Sequence, residues 1–372
     1  MTKFAILFLL MYEISGAFSL IKVVKVPGDL SGVGIKSRAW MSSGYTKVKL
    51  YPYVLSKSSD KKLNEKIDDL DKSEISIKVL SDGKRVSFLL KWRDESESYE
   101  DIEKFSDAVS LSFVEKNEQY PYLHSGDKKR GLLELYQRAV LEYEPLGDYS
   151  RQLLNFGSKK DELLDDEPKK YNRIYLKNGI YREVKSGVDF GTELSYKNGF
   201  WYAVFSKELN GKNINLNRAF VPFYISVWDG DKFQRGNFKK VSQWLGLRFV
   251  ENETDDKLNK IQEESVAGNS ENGRKLFEEN CVICHNYRDY KNAPTFMAPN
   301  LSYIGQYALK DYIKESILEP SKVIIQSFNP KSHPNYPWFE VNEKGERVST
   351  MPSFEWMDEK SIDDILAFLE TL

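Results

Sequence analysis

Residues 281–285 read CVICH, and this segment contains the only two cysteines of the 372-residue chain. Two thiols separated by two residues and followed by a histidine form an attachment signal for haem c. Both thiols can add to the vinyl groups of one haem, and the histidine can then reach the iron from the same side. The pattern therefore predicts covalent haem at Cys281 and Cys284, with His285 as an iron ligand.

Two other kinds of site use closely spaced cysteines, a redox dithiol and half of a zinc site. A zinc site needs further Cys or His ligands, and outside the CVICH segment the chain has only His124 and His333. A thioredoxin-like dithiol needs a βαβ setting, which the sequence pattern does not show. Haem attachment is the interpretation that fits the sequence best.

The first twenty residues, MTKFAILFLLMYEISGAFSL, have the pattern of a secretory signal peptide. A lysine precedes an apolar run over 4–11, and Ser15 and Ala17 supply small residues for cleavage after residue 17. The run is too short to cross a bilayer core about 30 Å thick. The alternative is a buried N-terminal strand or helix. We expect a periplasmic or otherwise exported protein that is soluble once residues 1–17 are removed.

Length and composition favour a chain of two or three globular domains. Aromatic residues make up 13% of the chain, with 22 Tyr and 21 Phe, and this favours β-rich structure. The 54 basic residues nearly balance the 56 acidic ones, so the net charge of −2 gives no indication of a nucleic-acid partner.

The hydrophobic pattern divides the chain into a strand-rich part and a helical part. Residues 18–250 contain many alternating or β-branched runs, with hairpin signals at SDG (81–83) and KNG (197–199). An insertion over about 128–175 breaks this pattern, and its segment GLLELYQRAVLEYE has apolar residues at helical spacing. Residues 251–268 form a polar linker. The pattern over 269–372 is helical, and Ser361 is a candidate cap of the last helix.

The helical part resembles a class I cytochrome c. Gly273 and Phe277 lie four residues apart before the cysteines, where this family packs a Gly and an aromatic residue against the final helix, here at Phe368 and Leu369. APNLSYIG (298–305) resembles the family's Pro-Xaa-Leu loop. The resemblance implies that the carbonyl of Pro299 accepts a hydrogen bond from the iron-bound histidine.

STMPSF (349–354) resembles the distal methionine loop of the same family, and it implies Met351 as the sixth iron ligand. Met297 and Met357 are rivals in the same region, although a methionine is usually a core side chain. A haem with Met and His ligands has no open iron position, and the thioether raises its reduction potential. This ligand set favours electron transfer over oxygen chemistry. His333 lies among prolines and is interpreted as an insertion-loop residue.

Six phrases of the strand-rich part occur in the order found in the haem-binding domain of the ethylbenzene dehydrogenase γ-subunit family, which this part resembles. They are residues 79–96, 105–114, 121–129, 198–209, 224–231 and 236–249. The resemblance implies a β-sandwich that holds one non-covalent haem b. Members serve as electron-transfer subunits of periplasmic molybdenum enzymes related to dimethyl sulfoxide reductase, including nitrate and nitrite oxidoreductases. It implies as partners a molybdenum catalytic subunit, an iron–sulfur subunit, and a soluble cytochrome c or membrane quinol system.

The family's usual haem b ligands are a Met and a Lys. Lys239 matches the lysine position, with Lys240 as the alternative. Ser125 stands where the family has its methionine, and a hydroxyl cannot replace a thioether. The neighbouring His124 is therefore the predicted second ligand, and a domain without haem b is the alternative. Of the tryptophans on predicted strands most belong to the core, and one or two are candidates to line a haem pocket: Trp92, Trp201, Trp228 and Trp244.

The fold class expected is an all-β sandwich followed by an all-α cytochrome c domain. The function expected is that of a dihaem electron-transfer subunit with no substrate site and no catalytic residue of its own. One alternative is a monohaem cytochrome c fused to a sandwich that binds a ligand or a protein. Another is an enzyme with a substrate site at the sandwich haem, but the sequence contains no recognised catalytic signature.

Overall fold

The structure is a computed structural model. It describes residues 19–53, 71–99, 105–114, 124, 131–139, 170–176, 180–183, 190–249 (without 212, 213, 219, 235 and 237), 267–324 (without 289 and 294–296) and 337–372. The predicted signal peptide, Ser125, His333 and nearly all of the predicted linker lie outside these residues.

The strand-rich part contains thirteen strands within the described residues. They are β1 Ser19–Lys25, β2 Thr46–Pro52, β3 Ser73–Ser81, β4 Arg85–Arg93, β5 Ala108–Val114, β6 Leu132–Arg138, β7 Lys170–Leu176, β8 Ile180–Glu183, β9 Phe190–Lys197, β10 Phe200–Glu208, β11 Phe220–Trp228, β12 Lys240–Ser242 and β13 Leu245–Phe249. A single turn of 3-10 helix lies at Arg38–Ser42.

Strand pairing runs in the order β8-β7-β6-β5-β11-β12-β2-β3-β4-β10-β9. The short strand β12 bridges β11 and β2. A second route connects the same region, because β11 also pairs with β13, β13 pairs with β1 in parallel, and β1 pairs with β3. The pairing therefore closes on itself, and the strands enclose one large apolar core that includes Phe88, Phe113 and Phe223. The N-terminal part is the β-sandwich that the sequence predicts.

Both predicted hairpin turns are confirmed. Gly83 lies between β3 and β4 with φ at 86°, and β3 pairs with β4 in antiparallel register. Asn198 and Gly199 connect β9 and β10 with φ at 53° and 75°. Two successive positive φ values are typical of the turn whose twist matches antiparallel strands, and glycine and asparagine adopt them most readily.

The helix predicted over GLLELYQRAVLEYE is wrong, because its first half forms the strand β6. This strand pairs with β5 on one side and β7 on the other, and six of its seven residues are buried. An apolar run that is buried on both faces of a sheet lacks the two-residue alternation that identifies a strand. Its charged Glu134 is accommodated by a hydrogen bond from the Ser110 hydroxyl on β5, at 2.8 Å.

The C-terminal part is built from four helices within the described residues, with one added hairpin. The helices are α1 Ser270–Asn280, α2 Ile304–Tyr307, α3 Lys310–Leu318 and α4 Glu359–Leu369, and the hairpin strands are β14 Phe339–Val341 and β15 Arg347–Ser349. Among the described residues, every helix is too short or too polar to span a bilayer. The described part of the chain is thus a β-sandwich followed by a small helical domain.

The first and last helices of this domain cross at Gly273. A Cβ at this position would lie 1.7 Å from the backbone oxygen of Asp364 on α4. Phe277 packs on Phe368, with ring centroids 5.4 Å apart. The predicted cap of α4 needs correction, because Asp358 is the N-cap and accepts a hydrogen bond from the backbone N–H of Ser361. Asp is as good an N-cap as Ser, so the sequence pattern alone does not separate them.

Candidate functional site

The CVICH segment opens onto a cavity of about 420 Å³ in the helical domain. Cys281, Cys284, His285, Met351 and Pro352 are among the residues that line it. Most of the remaining lining is apolar and comes from all four helices and the hairpin region, including Phe277, Ile304, Ile313, Pro337, Trp338 and Leu369. The cavity brings the predicted attachment cysteines, proximal histidine and distal methionine to one place.

The imidazole of His285 is oriented by Pro299. Its Nδ1 lies 2.8 Å from the carbonyl oxygen of Pro299. A carbonyl only accepts hydrogen bonds, so Nδ1 donates the proton and Nε2 keeps a lone pair for a metal. Burial lowers the pKa of His285, which favours the neutral, ligating form. This is the contact that the Pro-Xaa-Leu resemblance implies.

The two thiols do not have the properties of a redox pair. Burial, with the neighbouring Cys284 as a second cause, raises the pKa of Cys281 to about 12, and burial also raises the pKa of Cys284. Reactive dithiols instead have a lowered thiol pKa. Among the described residues, neither cysteine belongs to a group of three or more metal-binding side chains. Both observations favour haem attachment over the dithiol and zinc interpretations.

Of the three methionines that the sequence offers as distal ligand, two line the cavity. Met351 and Met297 both line it, whereas Met357 packs against the helical core. The backbone N–H of Met351 donates to the Ser349 hydroxyl at 3.1 Å, which fixes the loop that follows β15. An oriented imidazole, two thiols and a thioether around an apolar cavity form a donor set that fits haem c.

A second group of predicted ligands lies in the sandwich. His124 is 1% exposed, and its ring stacks on Tyr224 with centroids 4.1 Å apart. Neither ring nitrogen has a hydrogen-bond partner among the described residues. Burial and, second, the positive charge of Lys239 hold the pKa of His124 well below its usual range. A neutral, buried imidazole with two unsatisfied nitrogens is a suitable metal ligand.

Lys239 is buried beside the same aromatic rings. Its Nζ lies 5.6 Å from the ring centroid of Tyr224, 5.9 Å from that of Tyr53 and 5.0 Å from that of Trp228. Lys240, the alternative ligand, starts β12 and is only half-buried. The structure therefore places His124 and Lys239 beside the same aromatic rings, and we call this group of residues the His124 site. The unsatisfied imidazole nitrogens are donors of the kind that haem iron accepts.

Sequence reasoning missed most of the rings around His124. Besides Tyr224, these are Trp244 at 4.9 Å, Tyr307 at 5.9 Å and Tyr53 at 6.4 Å between ring centroids. The Tyr224 hydroxyl also donates a hydrogen bond to the His124 backbone carbonyl. Trp244 is among the candidate pocket residues, but no spacing in the sequence indicates the three tyrosines, because they come from three separate segments brought together by packing.

The His124 site lies where the sandwich meets the helical domain. Tyr307 ends α2, and its ring lies 5.3 Å from that of Tyr53. One turn earlier Tyr303 lies 5.8 Å from Tyr51 of β2. Gln243 donates a hydrogen bond from Nε2 to Oε1 of Gln306 at 2.9 Å. The two domains therefore share a packed, partly apolar boundary rather than only a linker.

A further cluster of charged side chains lies at three strand ends. Carboxylate oxygens of Asp94, Asp107 and Asp229 come within 4.8 Å of one another. Asp107 accepts hydrogen bonds from the Trp201 indole and from the backbone N–H groups of 98 and 230, and Asp229 pairs with a nearby lysine. The contacts of Asp107 tie the start of β5 to β10 and to the loops that follow β4 and β11, which is a structural role.

Comparison with known proteins bears on the C-terminal part of the chain. Residues 270–372 match the family model described as Cytochrome c. No curated protein matches the chain.

Three solved structures resemble the fold only weakly. One is a protein from Bacteroides uniformis described as carbohydrate-binding, at 12% identity and a TM-score of 0.34, covering 63% of this chain and 92% of that one. The second is a family 9 carbohydrate-binding module from Caldicellulosiruptor kristjanssonii in complex with glucose, at 10% identity and a TM-score of 0.29, covering 60% of this chain and 84% of that one. The third is the same kind of module from that organism in complex with cellotriose, at 10% identity and a TM-score of 0.30, covering 59% of this chain and 82% of that one. We draw nothing about ligands from TM-scores this low.

The C-terminal region thus combines a family match, an attachment segment at the mouth of an apolar cavity and an oriented neutral histidine. Residues 270–372 are a cytochrome c domain, a domain that carries covalent haem and transfers electrons.

Proposed function

We propose that the chain is a dihaem electron-transfer protein, with haem c in the cytochrome c domain and haem b at the His124 site. The observation that supports the second haem most directly is the environment of the His124 side chain. Its ring is buried, neither nitrogen has a hydrogen-bond partner among the described residues, and a buried lysine lies beside the same rings. Leaving a buried polar group unsatisfied costs about 1–3 kcal/mol, so a ligand for these nitrogens is favoured.

The protein's own residues would set the properties of both sites. His285 and Met351 would hold haem c, and Pro299 fixes the imidazole that faces it. His124 and the buried Lys239 would hold haem b, for which the lysine must bind as the neutral amine. With both iron positions filled by side chains, each site would supply one-electron redox chemistry and no substrate position. A His/Lys pair should give a lower potential than the Met/Lys pair of the family that the sandwich resembles.

The resemblance noted in the sequence supports a place in a larger complex. We propose that the protein is the electron-transfer subunit of a periplasmic molybdenum oxidoreductase, similar to the nitrate and nitrite oxidoreductases. The sandwich would face the iron–sulfur subunit of that complex. The cytochrome c domain would exchange electrons with a soluble cytochrome c or a membrane quinol system. Export through the predicted signal peptide (1–17) belongs to the same proposal.

The test is a pair of single substitutions with a matched control. His124→Ala and Lys239→Met should each lower the acid-acetone-extractable haem, measured as pyridine haemochrome, and leave the covalent haem unchanged. Lys240→Met, one residue away and half-buried, should keep both. If the unsubstituted protein holds only covalent haem, the dihaem proposal is wrong and a monohaem cytochrome c fused to a binding sandwich replaces it. Extractable haem that survives both substitutions would contradict the ligand assignment.

A further inference from the structure

We infer that the His124 site is composite: Tyr307 of the cytochrome c domain forms one of its walls, so the sandwich retains haem b only when the cytochrome c domain has folded around haem c. The inference rests on the proposed haem b. Beyond that proposal, it assigns a haem b contact to Tyr307 of the cytochrome c domain and predicts that haem c is attached before haem b is retained.

The first step is the contact itself. Three of the rings around His124 belong to the sandwich, namely Tyr53, Tyr224 and Trp244, and the fourth is Tyr307. The Tyr307 side chain is 1% exposed, and its ring lies 5.9 Å from His124 and 5.3 Å from Tyr53. Removing this ring would open the histidine to a gap at the domain boundary, where water could reach it.

The second step is how Tyr307 is held. Helix α2 has only four residues and no side-chain cap, so it has little stability of its own. Its position comes from packing inside the cytochrome c domain. A Cβ at Gly305 would lie 2.5 Å from the backbone oxygen of Leu369, so the middle of α2 is pressed against the end of α4. Ile304, three residues before Tyr307, lines the haem c cavity.

The third step connects α2 to haem c. The same short segment starts at Pro299, whose carbonyl orients His285, and ends at Tyr307 against His124. The cavity wall is largely apolar, and without an occupant its side chains lose their packing partner. An occupant that binds only the folded domain stabilises that fold by mass action. Attachment of haem c should therefore fix α2 and complete the His124 site.

The first experiment tests the wall in the full-length exported protein. Tyr307→Ala should keep covalent haem c but lose extractable haem b, because the ring that closes the site is gone. Tyr307→Phe should retain haem b, since it keeps the ring. Tyr303→Ala is the matched control: it removes a boundary ring from the same segment that contacts Tyr51 rather than His124. Equal haem b in Tyr307→Ala and Tyr303→Ala would overturn the inference and leave the dihaem proposal intact.

The second experiment tests the order of assembly. A chain with Cys281→Ser and Cys284→Ser cannot form the thioether bonds, and it should also lose haem b. Retention of haem b by this variant at the wild-type ratio would overturn the ordered assembly.

A third readout does not depend on haem b. The chain has three histidines, so a histidine-labelled NMR spectrum of the reduced protein is simple to assign. The His124 signal should shift in Tyr307→Ala and stay in place in Tyr303→Ala. If the wild type holds one haem but the His124 signal still responds to Tyr307, the dihaem proposal fails and the contact stands. An unchanged His124 signal in Tyr307→Ala would show that Tyr307 does not contact His124.

Discussion

His124 is a buried imidazole and His285 a half-buried one, and different features of the sequence indicate them. His285 is part of a local motif, and its partner carbonyl at Pro299 comes only 14 residues later. His124 has no local motif, and it was predicted only from a resemblance that spans most of the sandwich. Its buried, unsatisfied nitrogens are visible only in the folded chain. At the scale of residues, the sequence therefore predicts the covalent site more directly than the non-covalent one.

Met351 and Met297 give a matched pair for testing the distal ligand, since both line the haem c cavity. Met351→Ala should lower the reduction potential of haem c and remove the spectroscopic signature of a thioether ligand, because a thioether raises the potential relative to stronger donors. Met297→Ala should change neither property. Spectroelectrochemical titration of both variants measures this. A lowered potential in Met297→Ala together with an unchanged one in Met351→Ala would show that Met297 is the ligand.

Asp94 should make the sandwich less stable as the pH rises. Burial first, and then the charges of Asp107 and Asp229, raise the pKa of Asp94 to about 7. The folded state therefore binds more protons than the unfolded state between roughly pH 4 and pH 7, and this stabilising contribution is lost as the pH rises through that window. The slope is up to roughly 1.4 kcal/mol per pH unit.

Denaturant unfolding at several pH values measures the effect. Asp94→Asn should reduce the pH dependence in that window, because the amide does not titrate; the remaining slope comes from Asp107, whose pKa burial raises to about 6. Asp231→Asn, which removes an exposed carboxylate from the same region, should not. A wild-type stability that rises between pH 4 and pH 7, with an unchanged slope in Asp94→Asn, would show that Asp94 is not the group responsible.

At the scale of elements, the sequence predicts the two hairpin turns better than it predicts strand β6. The two hairpins have Gly or Asn where φ must be positive, so the local sequence determines them. The sequence pattern of β6 predicts a helix, because the strand depends on its neighbours β5 and β7 and not on its own pattern. The sequence pattern predicts Ser361 as the cap of α4, whereas the structure has Asp358, three residues earlier. Both residue types cap helices well, so the local sequence does not separate them.

The crossing of α1 and α4 should tolerate no side chain at Gly273. Because an added Cβ would collide with the backbone of Asp364, Gly273→Ala should force the helices apart. Overpacking of this kind costs roughly 1–3 kcal/mol or more. Thermal unfolding followed at the haem c absorbance measures the loss. Lys275→Ala, on the exposed face of α1, is the control and should change little. Equal stability of the two variants would contradict the close crossing.

At the scale of the whole molecule, the two domains are expected to stabilise each other. Tyr51 of β2 and Tyr303 before α2 pack across the boundary at 5.8 Å. Such aromatic pairs contribute about 0.5–1.5 kcal/mol beyond the burial of area. A double-mutant cycle with Tyr51→Ala and Tyr303→Ala should give a coupling energy in that range.

The control for this cycle pairs Tyr51→Ala with Trp356→Ala. Trp356 is 71% exposed, and its effect should add to that of Tyr51 without coupling. Unfolding should be followed both by haem c absorbance and by tryptophan fluorescence, so that each domain is observed. Additive effects for Tyr51 and Tyr303 would mean that the boundary adds no stability.

The measurement that tests the dihaem proposal most directly is the mass of the purified, exported protein under native and denaturing conditions. A chain with haem c at Cys281 and Cys284 and haem b at the His124 site should weigh two haems more than the polypeptide in native spectra. It should keep one haem after denaturation, because only the thioether-linked group survives. One haem under both conditions would contradict the proposal and leave the sandwich without a redox role.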